Sequence, residues 1–161
     1  MTIPYCSLHL DQPQTIPADG YHTVRFPFGT AESWDEHRMH QVAQPIGKPI
    51  TDWRTDDRAG LIWPAVDGLG ILTAMVRWES GTYRQYGARF VRDPLKLTTG
   101  WDATATDERA PTPGTQRATY THQMLVHPGT PIALQVYNGD TRARRLTFAE
   151  FKLSIHPAQE A

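Results

Sequence analysis

Leu61 to Trp78 reads LIWPAVDGLGILTAMVRW, and this stretch decides the fold class. Pro64 to Gly70 opens onto an apolar run, Ile71 to Val76, that ends at Trp78. With a strand's alternation, Leu72, Ala74, Val76 and Trp78 share one face and Ile71, Thr73, Met75 and Arg77 the other. The first face is wholly apolar and the second largely so until Arg77. That pattern predicts a central strand packed on both sides, in the middle of a β-sandwich. The run is too short to span a bilayer.

Downstream, Glu79-Ser80-Gly81 reads as a turn and Tyr83 to Arg92 as a hairpin partner of the central strand. Tyr86, Ala88 and Phe90 fall on one face of that partner. Thr98 to Thr115 (TTGWDATATDERAPTPGT) has no clear period and reads as a long loop carrying one aromatic, Trp101. Alternation returns in Arg117 to Val126, where Ala118, Tyr120, His122, Met124 and Val126 share a face. It continues at Ile132, Leu134 and Val136, before a hairpin signal at Asn138-Gly139. Phe151, Leu153 and Ile155 are out of phase by one with Leu146 and Phe148, which predicts a bulge or short loop at Ala149-Glu150.

Upstream, Tyr21 to Phe28 alternates as a first strand. The polar segment from Gly29 to Asp57 is anchored by Trp34 and Trp53, and Ser33 to Met39 is either a short helix capped by Ser33 or a wandering connection. Residues 1–20, punctuated by Pro4, Pro13 and Pro17, read as an extended arm along a neighbouring surface or as a partly ordered tail. The expected organisation is therefore an arm (1–20), one all-β domain of seven or eight strands (21–157) and a short tail (158–161).

Composition agrees with many short strands. Thirteen prolines and twelve glycines are spread over 161 residues, with no heptad, Gly-X-Y or low-complexity tract. A formal net charge of −1 argues against nucleic acid as a partner. The single cysteine, Cys6, excludes an internal disulfide and a cysteine-rich zinc site. The N-terminal sequence has no signal-peptide pattern and the chain no transmembrane run, so no membrane insertion is expected.

Four pieces of sequence carry a family resemblance: GLGILTAMVRW, YRQYGARFVR, HPGTPIALQVYNGD and FAEFKLSI. In their order and turns they resemble the C1q/TNF-like jelly roll, an antiparallel β-sandwich, particularly as found in virion proteins of tailed bacteriophages. RFPFGTAESWD and RDPLKLTTGWDATATDERAPTPG also look like small tail-associated phage proteins. The resemblance covers Tyr21 to Pro157. It implies a homotrimer with no cofactor and no catalysed reaction, packed through apolar and aromatic residues on the outer face of one sheet. The matching positions are Leu72, Ala74 and Val76, or the opposite face Ile71, Thr73 and Met75, with Tyr137 and Phe151 as further interface candidates. It implies a minor tail protein of the virion, made in the host cytoplasm, with other virion proteins as partners and the host surface as a contact. The alternative is a capsid decoration or head-fibre protein. With no fibrous shaft of its own, the chain is expected to be a free-standing particle component.

His37 and His40 beside Asp35 and Glu36 could share a metal, but no third ligand follows at a suitable spacing. Asp52, Asp56 and Asp57, or Asp102, Asp107 and Glu108, could supply paired acids, yet arginines Arg54, Arg58 and Arg109 stand beside them to pair with. No Gly-x-Ser-x-Gly elbow, P-loop or dinucleotide fingerprint is present. Thr98 to Asp107 is oxygen-rich but has no EF-hand pattern. Among five tryptophans, Trp63 and Trp78 read as core. Trp34, Trp53 and Trp101 stand in polar stretches, and Trp101 with Asp102 is the expected ligand-binding pair for a cell-surface glycan. A carbohydrate-binding module is thus the reading from a different class.

Overall fold

The computed structural model describes residues 2–29, 34–98 and 102–158. Its strands are β1 (Tyr5–His9), β2 (Gln14–Ile16), β3 (Tyr21–Thr23), β4 (Leu61–Ile62), β5 (Gly68–Trp78), β6 (Tyr86–Arg92), β7 (Asp102–Arg109), β8 (Gln116–Val126), β9 (Ile132–Asn138) and β10 (Arg144–Pro157). They form two five-stranded antiparallel sheets. Sheet one has the order β1-β10-β5-β8, with β2 also on β10; sheet two has the order β3-β9-β6-β7, with β4 also on β9. Both faces that meet are apolar, and the core between them includes Phe26, Leu72, Trp78, Phe90, Leu134 and Phe151.

β5 is central in sheet one, between β10 and β8. Its Leu72, Ala74, Val76 and Trp78 point inward and are fully buried. Its other face looks out of the sandwich, with Leu69 38% and Met75 37% exposed. The strand buried on both faces is β9 instead. Ile132, Leu134 and Val136 enter the core, while Ala133 packs outward with Leu61 and Trp63 in a second cluster. Alternation alone could not separate the two, because each strand has two largely apolar faces.

Further expectations are corrected. Residues 2–20 are not an arm: β1 pairs with Phe151–Ser154 and Glu150 of β10 and sets Cys6 and Leu8 in the core. The prolines that suggested an arm flank β1 and β2 rather than interrupt them. The segment ending at Arg92 is not a hairpin partner of β5, because Glu79 to Gln85 carries the chain to the other sheet, where β6 pairs β9 and β7. Much of the expected loop from Thr98 to Thr115 is β7, an edge strand whose polar side chains hid its period. No helix forms over 34–39; the Asp35 carboxylate accepts from the backbone N–H groups of Met39 and His40 in a turn. The register shift in β10 lies between Leu146 and Phe148, slightly before the expected place, and it puts Leu146 and then Ala149, Phe151, Leu153 and Ile155 inward.

Asn138-Gly139 is likewise not a hairpin turn, since β9 and β10 belong to different sheets. The buried Asp140 carboxylate accepts from Thr82 N, Arg142 N and Arg144 Nε at 2.7, 3.2 and 2.7 Å. It thereby ties the β9–β10 crossover to the β5–β6 crossover. Gly139 is needed for that approach: a Cβ there would lie 2.0 Å from the Gln85 carbonyl oxygen. Gly139→Ala is therefore expected to lower the urea midpoint by more than an average substitution, which costs about 1 kcal/mol. An unchanged midpoint would show that the crossover can shift.

On the opposite side of the sandwich the long strand β8 has one open edge. Side chains from sheet two cap its carbonyls: Tyr86 Oη donates to Arg117 O, Arg109 Nη2 to Thr119 O and Arg92 Nη2 to Leu125 O. These contacts blunt an edge that would otherwise template strand pairing.

Candidate interaction surfaces

The outer face of sheet one is built by the residues of β5, β8 and β10 that alternation turns away from the core. Across β5 and β8, Leu69 stands opposite Leu125, Ile71 opposite Gln123, Thr73 opposite Thr121 and Met75 opposite Thr119. This centre is uncharged, and Leu125 is 63% exposed. Charge enters at its margins. On the β10 side Lys152 and Glu150 approach to 3.7 Å, and at the far end Arg77 stands opposite Arg117. A small cavity of about 120 Å³ lies there between Met75, Phe148 and the two arginines. An uncharged centre carrying exposed Leu69, Met75 and Leu125, with a charged rim, is a form that protein-binding surfaces take.

The expected interface residues do not share this surface. Leu72, Ala74, Val76 and Phe151 are fully enclosed within one chain and offer nothing to a second copy. The inward face holds β5's largest side chain, Trp78, and its glycines Gly68 and Gly70 make room for opposing groups. The opposite set, Ile71, Thr73 and Met75, is the one facing outward. Tyr137 lies on the other sheet, half-buried, its ring 5.5 Å from that of Tyr21. Of the expected ligand pair, Trp101 lies outside the described residues. Asp102 opens β7 opposite Arg92, and its side chain is outside the described set.

The outer face of sheet two carries a closed polar network. The Arg89 guanidinium sits 4.1 Å from the centre of the Tyr21 ring and donates to Gln135 at 2.9 Å; Gln135 donates in turn to Thr23. Tyr21 donates its hydroxyl to Glu108 at 2.9 Å. Burial, reinforced by that hydrogen bond and the adjacent carboxylate, raises the Tyr21 phenol well above its ordinary range. Burial also lowers the Arg89 guanidinium somewhat. These groups satisfy one another, so the network stiffens the sheet and presents no activated acid or base.

The other polar clusters are also structural. Asp52, Asp56 and Asp107 pair with Arg54, Arg58 and Arg109, as their sequence neighbours suggested. Hydrogen bonds from Arg54 and Arg58 hold the Asp52 and Asp56 carboxyls below the usual range. His40 is buried, stacked on Phe28 at 4.2 Å, with Nε2 2.7 Å from the Ala59 carbonyl oxygen. Among the described residues no group of three or more His, Cys, Asp or Glu side chains is placed to hold a metal ion. No described helix is long and apolar enough to cross a membrane.

Two sheets in this order, joined by repeated crossovers, define a C1q/TNF-like jelly roll. The solved structures similar to this chain agree. The globular domain of zebrafish complement 1qA protein superposes with a TM-score of 0.64 at 10% identity, covering 98% of this chain and 100% of that one. The Eiger TNF of S. frugiperda gives 0.59 at 12% identity, over 98% and 96% of the two chains. Murine APRIL at pH 5.0 gives 0.59 at 13%, over 96% and 100%. At these identities the similarity establishes the fold. No protein-family model and no curated protein sequence matches the chain.

Proposed function

We propose that this chain is a non-enzymatic structural protein of a tailed-phage virion, a minor tail protein displayed as a homotrimer that meets the host surface. The observation that carries the assembly is the uncharged centre of the outer face of sheet one, where Leu69, Ile71, Thr73, Met75 and Leu125 stand outward on a jelly-roll sheet. Its backbone groups are already paired in the ladder, so burying its side chains against further copies adds apolar area without orphaning donors. The virion assignment is supported by the resemblance of the segments around Trp34 and Trp101 to tail-associated proteins.

Light scattering at neutral pH is expected to give three times the 18.2 kDa chain mass, unaffected by chelator. Ile71→Glu should yield a folded monomer, because Ile71 lies on the outer face and the inserted charge would be desolvated only in the assembly. A wild-type monomer, or an Ile71→Glu trimer, would sink this interface. Gold-labelled antibody against the chain should decorate tails of the particles. Decoration of heads would instead favour the capsid-decoration alternative, and undecorated particles would overturn the virion assignment.

A further inference from the structure

A second surface lies on the side of the sandwich where β2 of sheet one faces β3 of sheet two. Two cavities of about 310 and 290 Å³ meet there and share Gln14, Thr15 and Arg25. The trough they form is lined by Tyr21 and His22 in the first cavity and by Trp53 in the second. None of these residues belongs to the uncharged patch of β5 and β8. We propose that this trough is a saccharide-binding groove for a short, uncharged glycan of two or three pyranose units.

Three features point to that ligand chemistry. The first is electrostatic. Arg25 is paired with Asp57 at 2.9 Å and Arg54 with Asp52 at 3.1 Å, so each guanidinium already has its carboxylate. A groove that holds arginines but no excess of positive charge is poorly suited to an anion and well suited to hydroxyl groups, which both donate and accept.

The second is pre-organisation. The Arg25 side chain is held at both ends, its Nε donating to Asp57 and its Nη1 to the Arg54 carbonyl. The Gln14 side chain is oriented by its carbonyl oxygen, which accepts from Arg25 N at 3.2 Å. That leaves the Gln14 amide nitrogen and Asp57 Oδ2 with no partner in the described chain, both fixed by their other contacts. A ligand hydroxyl would meet a donor and an acceptor whose ordering has already been accomplished by the fold.

The third is the aromatic wall. Trp53 is half-buried in an otherwise polar segment and its indole joins no core cluster. Its apolar surface beside polar groups is the combination that recognises a sugar, which has C–H-rich faces and a hydroxyl edge. This groove is distinct from the expected pair Trp101 and Asp102; the polar partners of Trp53 come from β2 and from the segment after β3.

The groove deepens the reading of a host-surface contact but stands apart from the trimer, since the two surfaces share no residue. The test is an amide NMR titration of the full chain with trisaccharides of glucose, of N-acetylglucosamine and of mannose, each up to about 10 mM, the range of weak single-site binding. The oligomeric state of each sample is read by light scattering, so that loss of the trimer and loss of the groove are separate results. At least one sugar is expected to shift the Trp53 indole N–H and the Gln14 side-chain amide saturably. Trp53→Ala and, as a milder variant, Gln14→Ala should each weaken binding by about tenfold or more with a retained folded spectrum, while Trp101→Ala binds as wild type. The proposal is overturned by no saturable shift at these two groups with any of the three sugars. It is equally overturned if binding persists unchanged in the Gln14→Ala variant, or if sodium sulfate produces the same shifts, which would mark an anion site.

Discussion

Phe151→Ala is expected to cost about 3–5 kcal/mol, the range for deleting a fully buried aromatic side chain. Phe151 comes from β10 of sheet one and is completely buried. Its ring centre lies 6.0 Å from that of Phe90 on β6 and 6.3 Å from that of Phe26, so it packs across the space between the sheets. Removing it strips contacts from both layers, and β10 is held by β1 and β5 on its two edges, so the backbone can close little of the gap. A domain of this size has about 5–15 kcal/mol in total, so the variant should be marginal, with a thermal midpoint lower by roughly 6–20 °C. Phe151→Leu, which keeps most of the volume, should lose much less. Equal midpoints for wild type and Phe151→Ala would mean that the sheets do not pack through this residue.

The second large effect is expected at Asp140. Its side chain has no solvent exposure, and burial by itself would raise the carboxyl. The Arg144 hydrogen bond, together with the backbone N–H groups of Thr82 and Arg142, outweighs burial and holds it well below the ordinary carboxylate range. A carboxylate whose folded-state pKa is depressed contributes stability above its unfolded pKa, and that contribution is lost as pH falls through the folded value. Denaturation midpoints of the wild type should therefore decline below about pH 4, the unfolded range of an aspartate. Asp140→Asn should show a flatter profile there, having no charge to lose. At neutral pH, Asp140→Ala should lower the thermal midpoint on the order of 10 °C, because Arg144 loses its counter-charge and Thr82 N its acceptor. Parallel pH profiles for wild type and Asp140→Asn would remove Asp140 from the account of acid stability.

Both predictions rest on features only partly visible in the sequence. Phe151, Leu153 and Ile155 announce their strand and its inward face by alternation, and the phase slip from Leu146 announces a bulge, though not its place. Asp140 was hidden inside Asn138-Gly139-Asp140, which locally looks like a hairpin turn. Its role depends on Thr82, 58 residues away in sequence. The polar network of Arg89, Tyr21, Gln135 and Glu108 is equally non-local, since its members come from four strands. The groove followed the same rule: Trp53 could be noticed as an aromatic in a polar stretch, but nothing in its neighbours indicated Gln14 or Arg25.

What the sequence determined by itself was the class: strand-period alternation, dispersed proline and glycine, and apolar runs of strand length leave an antiparallel sandwich as the way to bury these side chains. That follows from local geometry, because alternation and turn chemistry are properties of neighbouring residues. The tertiary structure alone decided which of β5's two apolar faces is core, which strands share a sheet, and that β1 and β2, from the first twenty residues, complete sheet one. A strand with two apolar faces satisfies the local rule either way round. The choice is made by what stands opposite, and that is set by contacts distant in sequence.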